Sequence, residues 1–275
     1  MSAPDGSLRI QRFDAFDRTL HIALMISFLG LAASGLPLLF ADRSWAQLIA
    51  RAFGGYGVTG TVHRFSAVVL FATFFLHVGR LMLGTRRNGT RFMLWGPDSL
   101  VPQPRDLAQL GQHVRWFLGR GPYPRFDRYA YWEKFDYWAV FWGMAIIGCS
   151  GLVMWFPGVF LRILPGWALN VALVVHSEEA LLAMVFIFTV HFFNSHLRPG
   201  KFPMDPVIFT GEVTVDELRH ERAAQYERLE RTGRLAPADG PSPRWLVKGG
   251  PIIGTVAVTV GWIIVFLTLW GFLQD

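Results

Sequence analysis

Residues 61–83 read TVHRFSAVVLFATFFLHVGRLML. Roughly 20 helical residues cross a hydrocarbon core about 30 Å thick, and this stretch has that length. Only Arg64, Ser66 and Thr73 interrupt the apolar run between His63 and His77. Histidine is rare within hydrocarbon and marks a functional site there by default. The stretch therefore predicts a transmembrane helix with an imidazole towards each end.

Working outward, four more runs of similar length and apolarity predict spans at Leu20–Phe40, Tyr137–Phe156, Leu169–His191 and Pro251–Phe272. Hydrophobic residues make up 52 % of the chain, and their concentration in these runs argues for a membrane protein. A soluble domain would spread them over shorter amphipathic helices. The first run is too long for a signal-peptide core and has no small-residue cleavage site after it, so it is read as a retained span. Cys149 stands alone. One thiol excludes a Cys-x-x-Cys-His haem attachment, an iron–sulfur cluster and a structural zinc.

Basic residues set the topology. Arg9, Arg12 and Arg18 precede the first span, nine Arg or Lys from Arg86 to Lys134 separate spans two and three, and nine from Arg198 to Lys248 separate spans four and five. The opposite side carries Arg43, Arg51 and Arg162, and the tail ends in Asp275. The positive-inside rule then predicts a cytoplasmic N-terminus and an extracytoplasmic C-terminus; the expected location is a bacterial inner (cytoplasmic) membrane. The net charge of +6 is a topology signal, and no nucleic-acid partner is expected. Pro104–Gly119 predicts a short helix on the membrane surface, with Leu107, Leu110, Val114 and Phe117 at helical spacing. Val213–Thr232 is charged and helix-prone, with a Pro/Gly/Ser linker after it. His113 and His220 are expected to be ordinary surface residues.

The remaining histidines follow a pattern. His63 and His77 are fourteen positions apart, and His176 and His191 fifteen. In regular helices each pair is separated by about 21–23 Å along the axis, with angular offsets of about −40° and +60°. Spans two and four run in the same direction, so His63 meets His176 near the outer surface, while His77 and His191 reach one inner level. Two histidines from facing helices at one level suit axial ligation of a haem iron. Span one runs the other way and brings His21 to the inner level as well. His21 and His77 are therefore both candidates to partner His191.

Ordered motifs across residues 9–232 resemble the cytochrome b subunits of membrane formate dehydrogenase, thiosulfate reductase and nickel–iron hydrogenase. The carriers are RFDAFDRTLH (Arg12–His21), Ser34-Gly35-Leu36, Thr61-Val62-His63, PRFDRYAYWEKFDYW (Pro124–Trp138), Gly151–Trp155, His176 with His191, and Thr210-Gly211-Glu212-Val213. The resemblance implies an all-α integral membrane fold, a four-helix transmembrane haem-binding bundle, here with a fifth C-terminal helix. It implies two b haems and a quinone or menaquinone site beside the inner one. It pairs His63 with His176 and His21 with His191. His77 departs from that pattern and resembles the second span-two histidine of the cytochrome b of bc and b6f complexes. A third haem using the displaced histidine and His196 is a further option. Ala130 and Glu133 stand where the resembled subunits carry Asn and Gln near the quinone.

The expected organisation is a di-haem core over 1–212, a cytoplasmic amphipathic helix and linker over 213–248, and the fifth helix over 249–275. The expected function is an electron-transfer subunit of a respiratory oxidoreductase complex, carrying electrons between an extracytoplasmic partner (an iron–sulfur or multihaem cytochrome c carrier) and the quinone pool. Quinone reduction needs protons, and Glu133, Asp136 and Tyr137 lie at the right level, with whichever of His21 and His77 is not a ligand. Arg80, one turn beyond His77, is placed to pair a haem propionate or to snorkel. Ser177-Glu178-Glu179 follows His176 and suits proton conduction, a partner contact or a helix-start cap. The rival classes are a haem-free membrane anchor and a transporter with structural histidines. The transporter predicts broken helices and mid-membrane charge.

Overall fold

The computed structural model describes residues 8–88, 94–238, 240 and 242–273. Arg91 and Asp275, which entered the charge pattern, lie outside the described residues. Among the described residues, five helices are long and apolar enough to cross a membrane: Ala15–Leu39, Tyr56–Arg86, Tyr131–Trp155, Trp167–Leu197 and Arg244–Leu273. They are numbered here as spans one to five. Each expected span is found, and each helix outruns its apolar stretch.

Local chemistry sets the extra length. Span one starts where the Asp14 carboxylate accepts the Asp17 N–H at 2.9 Å, an N-cap contact. Span two starts just after Gly54 and Gly55, whose φ values of +100° and +99° suit glycine. Span three begins six residues before its apolar run, at Tyr131. There the Glu133 carboxylate accepts the Ala130 N–H at 2.7 Å, and the buried Lys134 ammonium donates to Asp106 at 2.8 and 2.9 Å.

Spans three and four are not regular throughout. Span three contains a π turn at Met144–Gly148, and span four contains two, at Ile187–His191 and Phe193–Leu197. A π turn closes i→i+5 rings and so inserts a residue into the helix. One inserted residue takes back about 100° of rotation. The +60° offset expected between His176 and His191 is thereby corrected towards the roughly −40° of His63 and His77.

The chain divides into two compact units. The first comprises Met1–Arg18, His77–Ala139 and Pro206–Val247. In it, β1 (Arg9–Gln11) pairs antiparallel with β2 (Glu212–Thr214), Ile10 opposite Val213. Ile10, Val213, Leu218 and Tyr226 form its apolar core. Gly211 has φ +80°, and a Cβ there would overlap the Phe13 carbonyl. The side chain of Arg18 donates to the Phe209 and Thr210 carbonyls at 2.8 and 3.0 Å, tying the start of span one to the same turn.

The expected surface helix is present over Pro104–Phe117, with Leu107, Leu110, Val114 and Phe117 all exposed. His113 corrects the surface expectation. It is buried on that helix, hydrogen-bonded to the Tyr131 hydroxyl at 3.1 Å and stacked on Phe117. The segment expected as one charged helix is instead β2 followed by helices Val215–Glu221 and Ala223–Arg231. The break falls at Arg222, whose backbone leaves the helical region and whose guanidinium is buried against Glu133.

The second unit comprises Thr19–Leu76, Val140–Asp205 and Lys248–Asp275. Leu36, Phe40, Leu181, Met184, Phe188, Phe192, Ile264 and Val265 belong to its core. Span five buries Gly250, Gly254, Ala257, Gly261, Ile264, Thr268 and Gly271, a spacing of three and four that lays one face along its neighbours. A Cβ on Gly261 would come within 2.6 and 2.7 Å of Phe188 and Phe192, and one on Gly271 within 2.8 Å of Phe40. Small residues allow this close helix packing. Outward faces stay apolar, with Phe65, Phe75, Leu182 and Phe266 each at least 60 % exposed. Such a surface suits lipid.

Candidate functional site

Two of the predicted ligands meet in the second unit. The rings of His63 on span two and His176 on span four lie 6.2 Å apart, inclined by 70°. Their Nδ1 atoms are both engaged. His63 Nδ1 is 3.1 Å from Ser34 Oγ, and that hydroxyl donates its single hydrogen to the Gly30 carbonyl at 2.6 Å. Ser34 therefore accepts from His63, and Nδ1 carries the proton. His176 Nδ1 is 2.9 Å from the Ile147 carbonyl, which can only accept, so Nδ1 is protonated there as well. Each ring is left with its Nε2 lone pair for a metal.

Glycines make room for both rings. A Cβ on Gly35 would sit 3.2 Å from His63 Cε1, and one on Gly151 would sit 3.0 Å from His176 Cε1. Ile147 belongs to the π turn of span three, where carbonyls depart from the regular i→i−4 ladder. The spacing fits an iron between the rings. Metal–imidazole bonds of about 2.0–2.1 Å plus half a ring on each side place two axial imidazole centroids about 6 Å apart. The donor set, the tautomers and the distance together suit a bis-histidine haem.

His21, His191 and His196 are electrostatic neighbours within the second unit. The His21 Nδ1 is buried without a hydrogen-bond partner among the described residues. His196 Nδ1 accepts the Asp205 N–H at 3.4 Å, and Asp205 pairs with the buried Lys201 at 2.7 Å. Among the described residues no group of three or more His, Cys, Asp or Glu forms a metal-binding cluster. Haem ligation needs two imidazoles, so that observation does not bear on it.

His77 lies in the first unit with different company. Its Nε2 is 2.9 Å from the Tyr137 hydroxyl, and Asp17 and Arg80 are its charged neighbours. Arg80 pairs with Asp14 and with Asp17 (3.7 Å for the latter) and lies over the Phe16 ring. Burial raises the Asp14 carboxyl, but hydrogen bonds from Arg80 and the backbone outweigh it and hold the group below its ordinary value.

Glu133 and Asp136 stand on the first two turns of span three. Glu133 binds two guanidiniums, Arg12 at 3.2 Å and Arg222 at 2.8 Å. Arg12 and Arg128 each donate to the other's backbone carbonyl, at 3.0 and 2.7 Å. Burial in this cluster pushes the Arg12 guanidinium below its ordinary value, against the opposing pull of Glu133. The arrangement locks the segment before span one to the start of span three. Glu133→Gln is expected to lower stability by about 2–3 kcal/mol, less than the ~3–5 of a fully buried pair, because Glu133 is 28 % exposed. Thermal unfolding in detergent measures it.

Ser34, Gly35 and Gly151 entered the sequence reading only as pieces of motifs. Their contacts supply the physical reason for those motifs. Ile147 had no sequence signal, since its role is played by a backbone carbonyl.

No protein-family model matches the chain. It is 25 % identical over 226 residues to the formate dehydrogenase cytochrome b556(fdo) subunit of Escherichia coli K12, a match covering 81 % of this chain and 94 % of that protein. The subunit of the same name from E. coli O157:H7 matches equally. In sequence, the chain is similar to a membrane cytochrome b subunit along most of its length.

Proposed function

We propose that this chain is a di-haem b-type cytochrome, the membrane subunit of a respiratory oxidoreductase complex that links an extracytoplasmic redox partner to the quinone pool. The observation that carries the reading is the His63–His176 pair, 6.2 Å apart with both Nδ1 atoms engaged. Neither rival class needs two imidazoles held with their Nε2 lone pairs free. Similarity to a formate dehydrogenase cytochrome b subunit supports the same assignment and the presence of partner subunits.

In this reading, four spans form the haem-binding bundle. His63 and His176 hold the outer haem, and His21 and His191 the inner one. Bound haem b supplies a one-electron iron centre at each level. The protein's part is to fix the imidazoles, keep water from the path and supply protons where quinone is reduced. His21 is preferred to His77 because His77 Nε2 already meets the Tyr137 hydroxyl. The quinone pocket lies at the cytoplasmic end of the path, with Glu133, Asp136 and Tyr137 as its candidates. Glu133 is held by two guanidiniums, so the Tyr137–His77 pair is the better proton donor. Arg80 is occupied by Asp14 and Asp17 and acts there through the charge around His77.

The test is an optical redox titration of the purified full chain. Two b-type transitions of equal amplitude, both reduced by a quinol, are expected. No reducible b-type band would overturn the reading and leave the haem-free anchor or transporter.

A further inference from the structure

Asp17, in the first turn of span one, has surroundings that an ion pair alone does not explain. Arg80 on span two is already matched by Asp14: Nη1 donates to one Asp14 oxygen at 3.3 Å and Nη2 to the other. A two-pronged contact of this kind is the strong form of a guanidinium–carboxylate pair. Asp17 is a second carboxylate on the same guanidinium, held more loosely at 3.7 Å from Nε. Its other charged neighbours are Asp14, Arg128 and His77. All of these groups belong to the first unit.

Helix geometry sorts them into two steps. Asp14 and Asp17 are three residues apart at the start of span one, and Arg80 and His77 three apart on span two. Each pair therefore shares a helix face, separated by about 4.5 Å in height. Asp14 and Arg80 form the step nearer the helix ends, and Asp17 and His77 lie one turn deeper. Exposure falls in the same order. The Asp14 side chain is 51 % exposed and that of Asp17 34 %, while His77 and Tyr137 are part-buried. His77 Nε2 then meets the Tyr137 hydroxyl at 2.9 Å. Asp17, His77 and Tyr137 thus make a file leading inward from solvent, and every member can gain and lose a proton.

The geometry points to Asp17 as the proton-collecting group of this file, acting through His77 on quinone reduction. The inference rests on the quinone reading above, with this end of the spans towards the cytoplasm and His77 not bound to iron. Reducing one quinone to quinol takes two electrons, which arrive along the haem path, and two protons. A reduced quinone oxygen takes the proton of the Tyr137 hydroxyl, and the His77 Nε2–H restores it. The Asp17 carboxyl gives its proton to the other nitrogen of the imidazole and regains one from water. Two such passages complete one quinol and leave every group as it began. A mere counter-ion to Arg80 would instead affect stability and leave the proton dependence of turnover untouched.

The experiment uses the full chain in lipid nanodiscs, with a short-chain menaquinone analogue reduced at the expense of an artificial donor. Haem content and the rate of haem reduction by the same donor are the controls. Asp17→Asn keeps the shape of the side chain but cannot carry the proton. It should slow quinone turnover about 100-fold at neutral pH while both haems remain and reduce at the wild-type rate. Its turnover should fall in proportion to proton concentration as pH rises, against a flatter wild-type profile. Asp17→Glu should restore most of the turnover, and added acetate, a small carboxylic acid, should rescue Asp17→Asn. Asp17→Ser takes the place of the asparagine variant if that variant loses a haem. Turnover of Asp17→Asn at the wild-type rate, an equal loss in Asp17→Glu, or a pH profile of unchanged shape would each overturn the inference. A wild-type chain that holds two haems yet never reduces the quinone would overturn the quinone reading instead.

Discussion

His63→Ala and His176→Ala should each reduce the haem content from two per chain to one and abolish electron transfer between the outer face and quinone. The two substitutions should be equivalent, because each removes one axial imidazole from the same iron. A haemochrome assay per polypeptide reads the loss directly, and the redox titration should retain only the inner transition. Ser34→Ala separates ligation from tuning. It leaves both imidazoles in place but deletes the acceptor that fixes the His63 tautomer. Removing the hydrogen-bond partner of a metal-binding imidazole weakens metal affinity by about 10–100-fold, so Ser34→Ala should shift the outer potential and loosen the haem without eliminating it. Full haem content in His63→Ala would remove the outer pair from the assignment.

The five spans were legible because hydrocarbon imposes a long, unbroken apolar run, which composition reveals directly. Their ends were not. Span three starts at Tyr131 because Lys134 is neutralised by Asp106, a residue 28 positions away, and no local pattern announces that. The β1–β2 pair joins three-residue strands some 200 positions apart, too short for periodicity to register. His113 looked like a surface residue because its helix is amphipathic, yet it closes an aromatic box with Tyr131 and Phe126. The π turns have no compositional signature, and regular-helix arithmetic therefore misplaced His191 relative to His176.

The site was legible where it depends on spacing. Histidines at matched intervals on parallel spans are visible in a string of letters, and His63 and His176 do come together. What holds them was only half visible. Ser34, Gly35 and Gly151 could be noticed as motif letters, but their function is contact with imidazole edges. The partner of His191 could not be resolved from spacing, since the sequence offers both His21 and His77 for it. The difference between His21 and His77 is a matter of hydrogen bonds.

That difference has a measurable consequence. His21→Ala should lose the inner haem, leave the outer transition intact and abolish quinone reduction. His77→Phe should keep both haems, because its Nε2 is committed to the Tyr137 hydroxyl rather than to iron. Its effect should fall on proton delivery. Positioned acid–base groups contribute about 10²–10⁴-fold, so quinone turnover should drop by about 100-fold while haem reduction by an artificial donor stays fast. Tyr137→Phe should reproduce that split, since it breaks the same hydrogen bond from the other side. Phenylalanine fills the volume of either ring, so a change confined to turnover cannot be ascribed to a cavity. If His77→Phe instead loses one haem and His21→Ala retains two, the inner ligand is His77, and the contact with Tyr137 belongs to the haem-free chain alone.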